Sequence, residues 1–216
     1  MSYAWYIIAV LALVVFVWRK DLRHKMLFSG LLTLPILFIK PIIATDFSDV
    51  ARADGGVWLF VLNRAIISFS FGVLASALYE IFFHKHITPI HHPHRPRLLY
   101  LLAGPILFFL LYYLLPLPVV TALIISLLID IIMLAVIRFD LIWDVIFSGT
   151  IMGVLYLIIF TVAFGSLPGD LNNLWFSNQL SGANVFSLPI EELACVALFG
   201  ALFGPLYIAI KDFRER

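Results

Sequence analysis

Apolar residues in this chain come in seven long runs, and most of the charge falls between them. The runs are roughly Tyr3–Trp18, Met26–Ala44, Val57–Phe83, Leu98–Leu115, Pro118–Ile137, Leu141–Gly165 and Ser187–Ile210. A helix needs about 20 apolar residues to cross the hydrocarbon of a bilayer, and these runs approach or exceed that length. None shows the sustained alternation of a barrel strand, so the spanning form they predict is the helix. The expected fold is an all-α membrane protein with seven transmembrane helices.

The polar segments between the runs set the orientation. RKDLRHK (19–25), HKHITPIHHPHRPR (84–97), RFDLIWD (138–144) and the tail KDFRER (211–216) hold four, three, one and three of the fourteen Lys and Arg residues. The alternate connections are TDFSDVARADGG (45–56), LPLP (115–118) and the long segment after Gly165, with Arg52 their one basic residue. Cytoplasmic connections are the ones rich in Lys and Arg, so the N-terminus is expected outside and the C-terminus in the cytoplasm. Met1–Val17 lacks a basic leader and a small-residue cleavage site, and reads as a retained first helix.

The chain also repeats itself. At an offset of 119, Arg19-x-Asp21-Leu22 matches Arg138-x-Asp140-Leu141, and Phe28-Ser29-Gly30 matches Phe147-Ser148-Gly149. At an offset of 128, FGVLASALY (71–79) matches FGALFGPLY (199–207). Helices 1–3 and 5–7 are thus expected to be two parallel three-helix repeats, joined by a linking helix 4. The corresponding division is 1–83 for the first repeat, 84–116 for the His-rich loop and linking helix, and 117–216 for the second repeat. In register, Gly72 and Ser76 fall on Gly200 and Gly204. Such small-x-x-x-small faces let helices approach closely in lipid. They are expected to bring helices 3 and 7 together near the pseudo-twofold axis, the rival being room for a long flat ligand.

Composition agrees with a membrane location. The chain is 63% hydrophobic and 12% charged, against about 25% charged in a soluble domain. The single cysteine, Cys195, excludes an intramolecular disulfide. The basic residues sit at membrane edges, as insertion alone requires, and no nucleic-acid partner is expected.

Few polar groups are left to carry chemistry. Glu191 and Glu192 follow Pro189 at the start of the last run. Carboxylates are rare in lipid-embedded helices and mark functional sites there. Acids after a proline are also an ordinary helix start, favoured by the helix dipole. Asp130 lies in mid-segment, where a carboxylate costs about 2.5–3.5 kcal/mol on insertion scales. It should face the bundle interior, either lining a ligand cavity or bonded to another helix. Glu80 is expected near the inner face, snorkelling toward His84 or Lys85. The recurring Arg19–Asp21 and Arg138–Asp140 pairs read as charged turns that fix topology. The six histidines, His24, His84, His86, His91, His92 and His94, all fall on the basic side. Residues 84–97 read as a flexible interfacial loop against anionic headgroups rather than as a metal site. No metal and no cofactor motif is expected.

Pro189-Ile190-Glu191-Glu192-Leu193 opening the last helix, with Trp175 and Ser181-Gly182 upstream, resembles the lycopene cyclase domain family, the integral membrane kind built from three-helix units. In the first repeat, Trp58 and Phe71-Gly72 through Tyr79-Glu80 carry the likeness. The resemblance implies redox-neutral cyclisation of the ψ-ends of lycopene, a hydrophobic polyene, to β-rings. On that reading an acid protonates an end-group alkene, the cation closes a ring, and a base removes a proton. Glu191 is then the expected donor, Glu192 with Arg64 the charge-setting pair, and Asp130 a second catalytic candidate. One departure stands out: where the family's first unit is expected to carry an acid, this chain has Asn63 and Arg64. Catalysis would then rest on the second repeat alone or be lost, unless a partner subunit, in a homo- or hetero-oligomer, restores the missing acid pair.

Other classes fit less well. A retinal protein needs a lysine in mid-helix 7, and the nearest, Lys211, is at its inner end. Intramembrane prenyltransferases need aspartate clusters that are missing here. A membrane protein that binds or carries an isoprenoid lipid, or a small-solute transporter, remains the alternative.

Overall fold

In lipid, a segment of Leu, Ile, Val and Phe has no partner for its backbone N–H and C=O groups outside itself, and the helix satisfies them internally. The computed structural model describes residues 2–35, 57–83, 87–89, 99–115, 117–164, 181–186, 188–211 and 213–215. Among them are seven helices: α1 (Ser2–Trp18), α2 (Arg23–Thr33), α3 (Val57–Phe83), α4 (Leu99–Leu114), α5 (Val119–Ile137), α6 (Ile142–Phe164) and α7 (Ile190–Lys211). Among the described residues the fold is all-helical but for four very short strands. The stretches Val61–Phe83, Val119–Ile137, Phe139–Val162 and Ile190–Lys211 are each long and apolar enough to cross a membrane. Large apolar side chains such as Val10, Leu13, Ile132, Val136, Ile158 and Val162 are exposed on the helices, as a lipid-facing surface requires.

The helix ends follow the apolar runs closely for α1, α3, α4, α5 and α6, and depart from them in two places. α2 starts at Arg23, ahead of the expected Met26, because a 3-10 turn (Lys20–Leu22) leads straight into it; the later part of that run lies outside the described residues. α7 starts at Ile190 rather than Ser187. The residues ahead of it form a two-stranded ribbon, β2 (Asn184–Val185) with β3 (Leu188–Pro189), whose pairing ends on Pro189. A third difference concerns the basic loop. Its residues β1 (Ile87–Pro89) pair antiparallel with the tail, β4 (Phe213–Glu215). That contact between distant segments has no local sequence signal. All five histidines of residues 84–97 lie outside the described residues.

The chain divides into two compact units, Met1–Ala77 and Leu78–Arg216. In the first, Arg19 grips Asp21 through Nε (3.0 Å) and Nη2 (2.8 Å). Arg23 reaches back to the last turn of α1, donating to the carbonyls of Phe16 (3.1 Å) and Val17 (3.4 Å). It thereby serves carbonyls that a helix end leaves without intrahelical donors. α2 and α3 meet along a seam of small polar residues. Thr33 Oγ1 lies 2.7 Å from the Ser68 carbonyl, and Ser68 Oγ donates to the Thr33 carbonyl at 2.6 Å. One turn along, Gly72 is so close to α2 that a Cβ there would stand 2.6 Å from the Ser29 carbonyl.

The second unit contains a turn of the same kind. Arg138 grips Asp140 through Nε and Nη2, both at 3.0 Å, ahead of the 3-10 turn Phe139–Leu141. α6 and α7 then pack antiparallel along small residues. A Cβ on Gly149 would stand 2.9 Å from the Ala197 carbonyl, and one on Gly200 would stand 2.5 Å from Met152 Cβ and 2.9 Å from the Ser148 carbonyl. Gly153 faces Ala197 Cβ at 3.2 Å by the same measure. Gly72 and Gly200 are therefore both used against the preceding helix of their own unit. Two charges that the sequence places at inner turns, Lys25 and Asp144, are buried, at 2% and 3% exposure.

This seam sets a graded expectation. Gly200→Ala forces a methyl into Met152 and the Ser148 backbone and should cost about 1–3 kcal/mol, the usual range for overpacking. Gly153→Ala meets only another methyl at 3.2 Å and should cost less. Thermal unfolding of the two variants in detergent checks the order; equal melting temperatures would show that the seam does not limit stability.

Candidate active site

The site is built where α7 begins. Leu188 and Pro189 are buried, and Ile190 N–H donates to the Ala183 carbonyl at 3.0 Å. The ribbon is thus folded back over the first turn of α7. Gly182 has φ +81°, a conformation that side chains disfavour, which explains a glycine at that position. The bend brings the Ser181 N–H to 2.7 Å from Glu191 Oε1. Glu191 therefore ties the ribbon segment ahead of α7 to the helix. Its other oxygen is buried without a hydrogen-bond partner among the described residues.

Glu192, the next residue, points about 100° further round the helix. There it meets α6, and the Tyr156 hydroxyl donates a hydrogen bond to Glu192 Oε1. Tyr156 is 1% exposed, and its ring packs on Phe160 with centroids 4.2 Å apart. Cys195 follows one turn along α7, half-buried, with a free thiol. The antiparallel seam explains the meeting: each turn forward along α6, from Gly149 through Gly153 to Tyr156, is matched by a turn back along α7 toward Glu192.

Tyr156 is the residue that sequence reasoning missed. The signal was present, since Gly149, Gly153 and Tyr156 are spaced to share one helix face. It was hidden by the many aromatic residues of the apolar runs.

Asp130 lies on α5 and is buried, at 7% exposure, but toward a different neighbour. A Cβ on Gly104 of α4 would stand 1.8 Å from Asp130 Oδ2. The carboxyl thus occupies the space that the glycine leaves open. Asp130 faces α4, while Glu192 is met from α6, and no hydrogen bond joins Asp130 to either glutamate. Asn63 and Arg64 are half-buried on α3 in the first unit. Glu80 does not snorkel: it is 0% exposed, within a stretch of α3, Gly72–Glu80, that is buried throughout. Trp175 lies outside the described residues.

A protein-family model described as lycopene cyclase matches residues 1–58 and 117–209. No curated protein and no solved structure matches the chain. The matched residues include Asp130, Tyr156, Glu191 and Glu192, whereas Asn63, Arg64 and Gly104 fall between the two matched segments.

The Asp130 notch generates its own test. Gly104→Ala should destabilise the protein, and the loss should be largely relieved when combined with Asp130→Ala. A coupling of about 1 kcal/mol or more is expected for residues in direct contact. Detergent unfolding of the two single variants and the double variant measures it; strict additivity would mean that the carboxyl does not need the notch.

Proposed function

The chain belongs to the lycopene cyclase family, and on that premise we propose that it is a carotenoid end-group cyclase. The reaction is acid-catalysed and redox-neutral. A carboxylic acid gives its proton to an alkene carbon of a ψ-end, and a tertiary carbocation forms. The neighbouring alkene attacks that cation and makes the ring C–C bond. A proton then leaves the adjacent carbon for the carboxylate, which restores the acid and leaves the β-ring double bond. Substrate and product have the same formula, so no cofactor enters the balance.

Sequence reasoning assigned the donor role to Glu191. The hydrogen bonds favour Glu192. Glu191 is engaged by the backbone of the outer loop, whereas Glu192 meets a buried phenol inside the α6–α7 interface. That placement is the observation that carries the proposal. A cation formed beside it would face the Tyr156 and Phe160 rings, whose π-faces attract positive charge, and closely packed walls would exclude water. The first repeat offers an amide and a cation, Asn63 and Arg64, where an acid is expected. The chemistry is therefore assigned to the second repeat.

The same proposal includes the topology: seven spans, the N-terminus outside, the C-terminus in the cytoplasm, and two parallel three-helix repeats joined by α4. The recurring Arg-x-Asp grips before 3-10 turns, and the recurring glycine on the serine carbonyl of the preceding helix, support the repeat. A polyene dissolved in the bilayer is the substrate.

Pigment analysis of lycopene-accumulating cells tests the reading. The wild-type chain should yield a cyclic carotene, Glu192→Gln should abolish it, and Glu191→Gln, whose amide oxygen can still accept from Ser181, should retain part of it. Unchanged lycopene with wild-type protein folded in the membrane would replace catalysis with binding or transport of an isoprenoid lipid. Loss with Glu191→Gln alone would return the donor role to Glu191.

A further inference from the structure

A tyrosine inside a helix interface is costly unless its hydroxyl is hydrogen-bonded, since desolvating an unpaired hydroxyl costs about 1–3 kcal/mol on protein scales. Tyr156 spends its hydroxyl on Glu192 Oε1. Both ends of this contact are fixed. The ring is clamped by Phe160 at 4.2 Å, and the seam at Gly149, Gly153 and Gly200 sets the register of α6 on α7. The phenol therefore addresses one chosen oxygen of one of two adjacent glutamates.

We propose that Tyr156 is a positioning residue for proton transfer by Glu192. This deepens the cyclase reading above and rests on it. The hydroxyl holds Oε1, so the proton to be given is carried on Oε2. When that proton leaves for the alkene carbon, negative charge develops on the carboxylate. A hydrogen bond donated to a charged acceptor is about twice as strong as one between neutral groups. The Tyr156 contact therefore strengthens along the reaction, as donors in an oxyanion hole do, and contributes to the transition state more than to the bound substrate. Tyr156 keeps its own proton throughout. The proton returned in the last step goes back to Glu192 Oε2, and the pair ends as it began. Glu191, held by the Ser181 N–H, ties the ribbon to α7 and does not exchange places with Glu192.

The test is Tyr156→Phe in the full-length protein reconstituted in lycopene-loaded liposomes, with Tyr113→Phe, an exposed residue on α4, as the control. Loss of a hydrogen bond to a developing charge is worth about tenfold to a hundredfold in rate. The expected result is a kcat lowered by that factor with KM unchanged, and no effect of the control. Infrared difference spectroscopy of the same samples supplies a readout independent of turnover. The carboxyl band removed by Glu192→Gln should move in Tyr156→Phe and stay in place in Tyr113→Phe. Wild-type kcat in Tyr156→Phe, or a raised KM with kcat unchanged, overturns the proposal. So does a Glu192 band that ignores Tyr156→Phe. If wild-type protein makes no cyclic product while the band still moves, the cyclase reading and the catalytic role both fall, and only the hydrogen bond remains.

Discussion

Two helices in lipid gain nothing from burying apolar surface against each other, because the solvent is itself apolar. They associate where their backbones can come close, and that needs small side chains. The α6–α7 contact depends on this constraint. Gly149 and Gly153 on α6 meet Ala197 and Ala201 on α7, and Gly200 on α7 meets Met152 and the Ser148 carbonyl on α6. Everything described at the site follows from the resulting register. Shifted by one residue, Tyr156 would lose Glu192 and a phenol would be buried unpaired. The α2–α3 contact obeys the same rule, with Gly30 against Phe69 and Gly72 against Ser29 and Thr33. Hydroxyl-to-carbonyl bonds between Thr33 and Ser68 add to it.

Polar side chains inside these helices meet individual solutions, because each must be accommodated where water cannot reach. Glu192 is met by a phenol, Glu191 by a backbone N–H, and Asp130 by a notch in the neighbouring helix. The three carboxyls therefore do not form one cluster. They divide into a loop clamp, an interface acid and a helix-to-helix contact, and the interface acid meets buried Tyr156, whose ring packs on Phe160. Cyclisation of a polyene asks for that combination: a proton donor, aromatic faces and no water. Family membership suggests a cyclase-related function, and the hydrogen bonds distinguish the two adjacent glutamates.

Much of the fold was legible in the sequence. In lipid a backbone must satisfy itself locally, so an apolar run becomes a helix of its own length, and the ends of α1, α3, α4, α5 and α6 sit within a residue of the runs that predict them. Glu191, Glu192 and Asp130 stood out for a related reason, since a charge in such a run is visible without any tertiary information. The two short ribbons were not legible. β1 pairs with β4 across most of the second unit's sequence, and β2–β3 spans only a few residues without a strong turn signature. Glu80 was expected to snorkel and is buried instead, because burial of a helix end depends on which neighbours reach it.

The sequence by itself determined an all-helical, membrane-type chain, its recurring motifs, its family and the short list of ionisable residues that could act. Tertiary structure decided which of those residues meet. Adjacent glutamates on a helix diverge by about 100°, so their partners are set by how α7 is rotated and registered against α6 and the β2–β3 ribbon. No local pattern encodes that rotation. It emerges from the fit of glycines and alanines across the seam, and that fit turned one anonymous tyrosine among eight into the partner of Glu192.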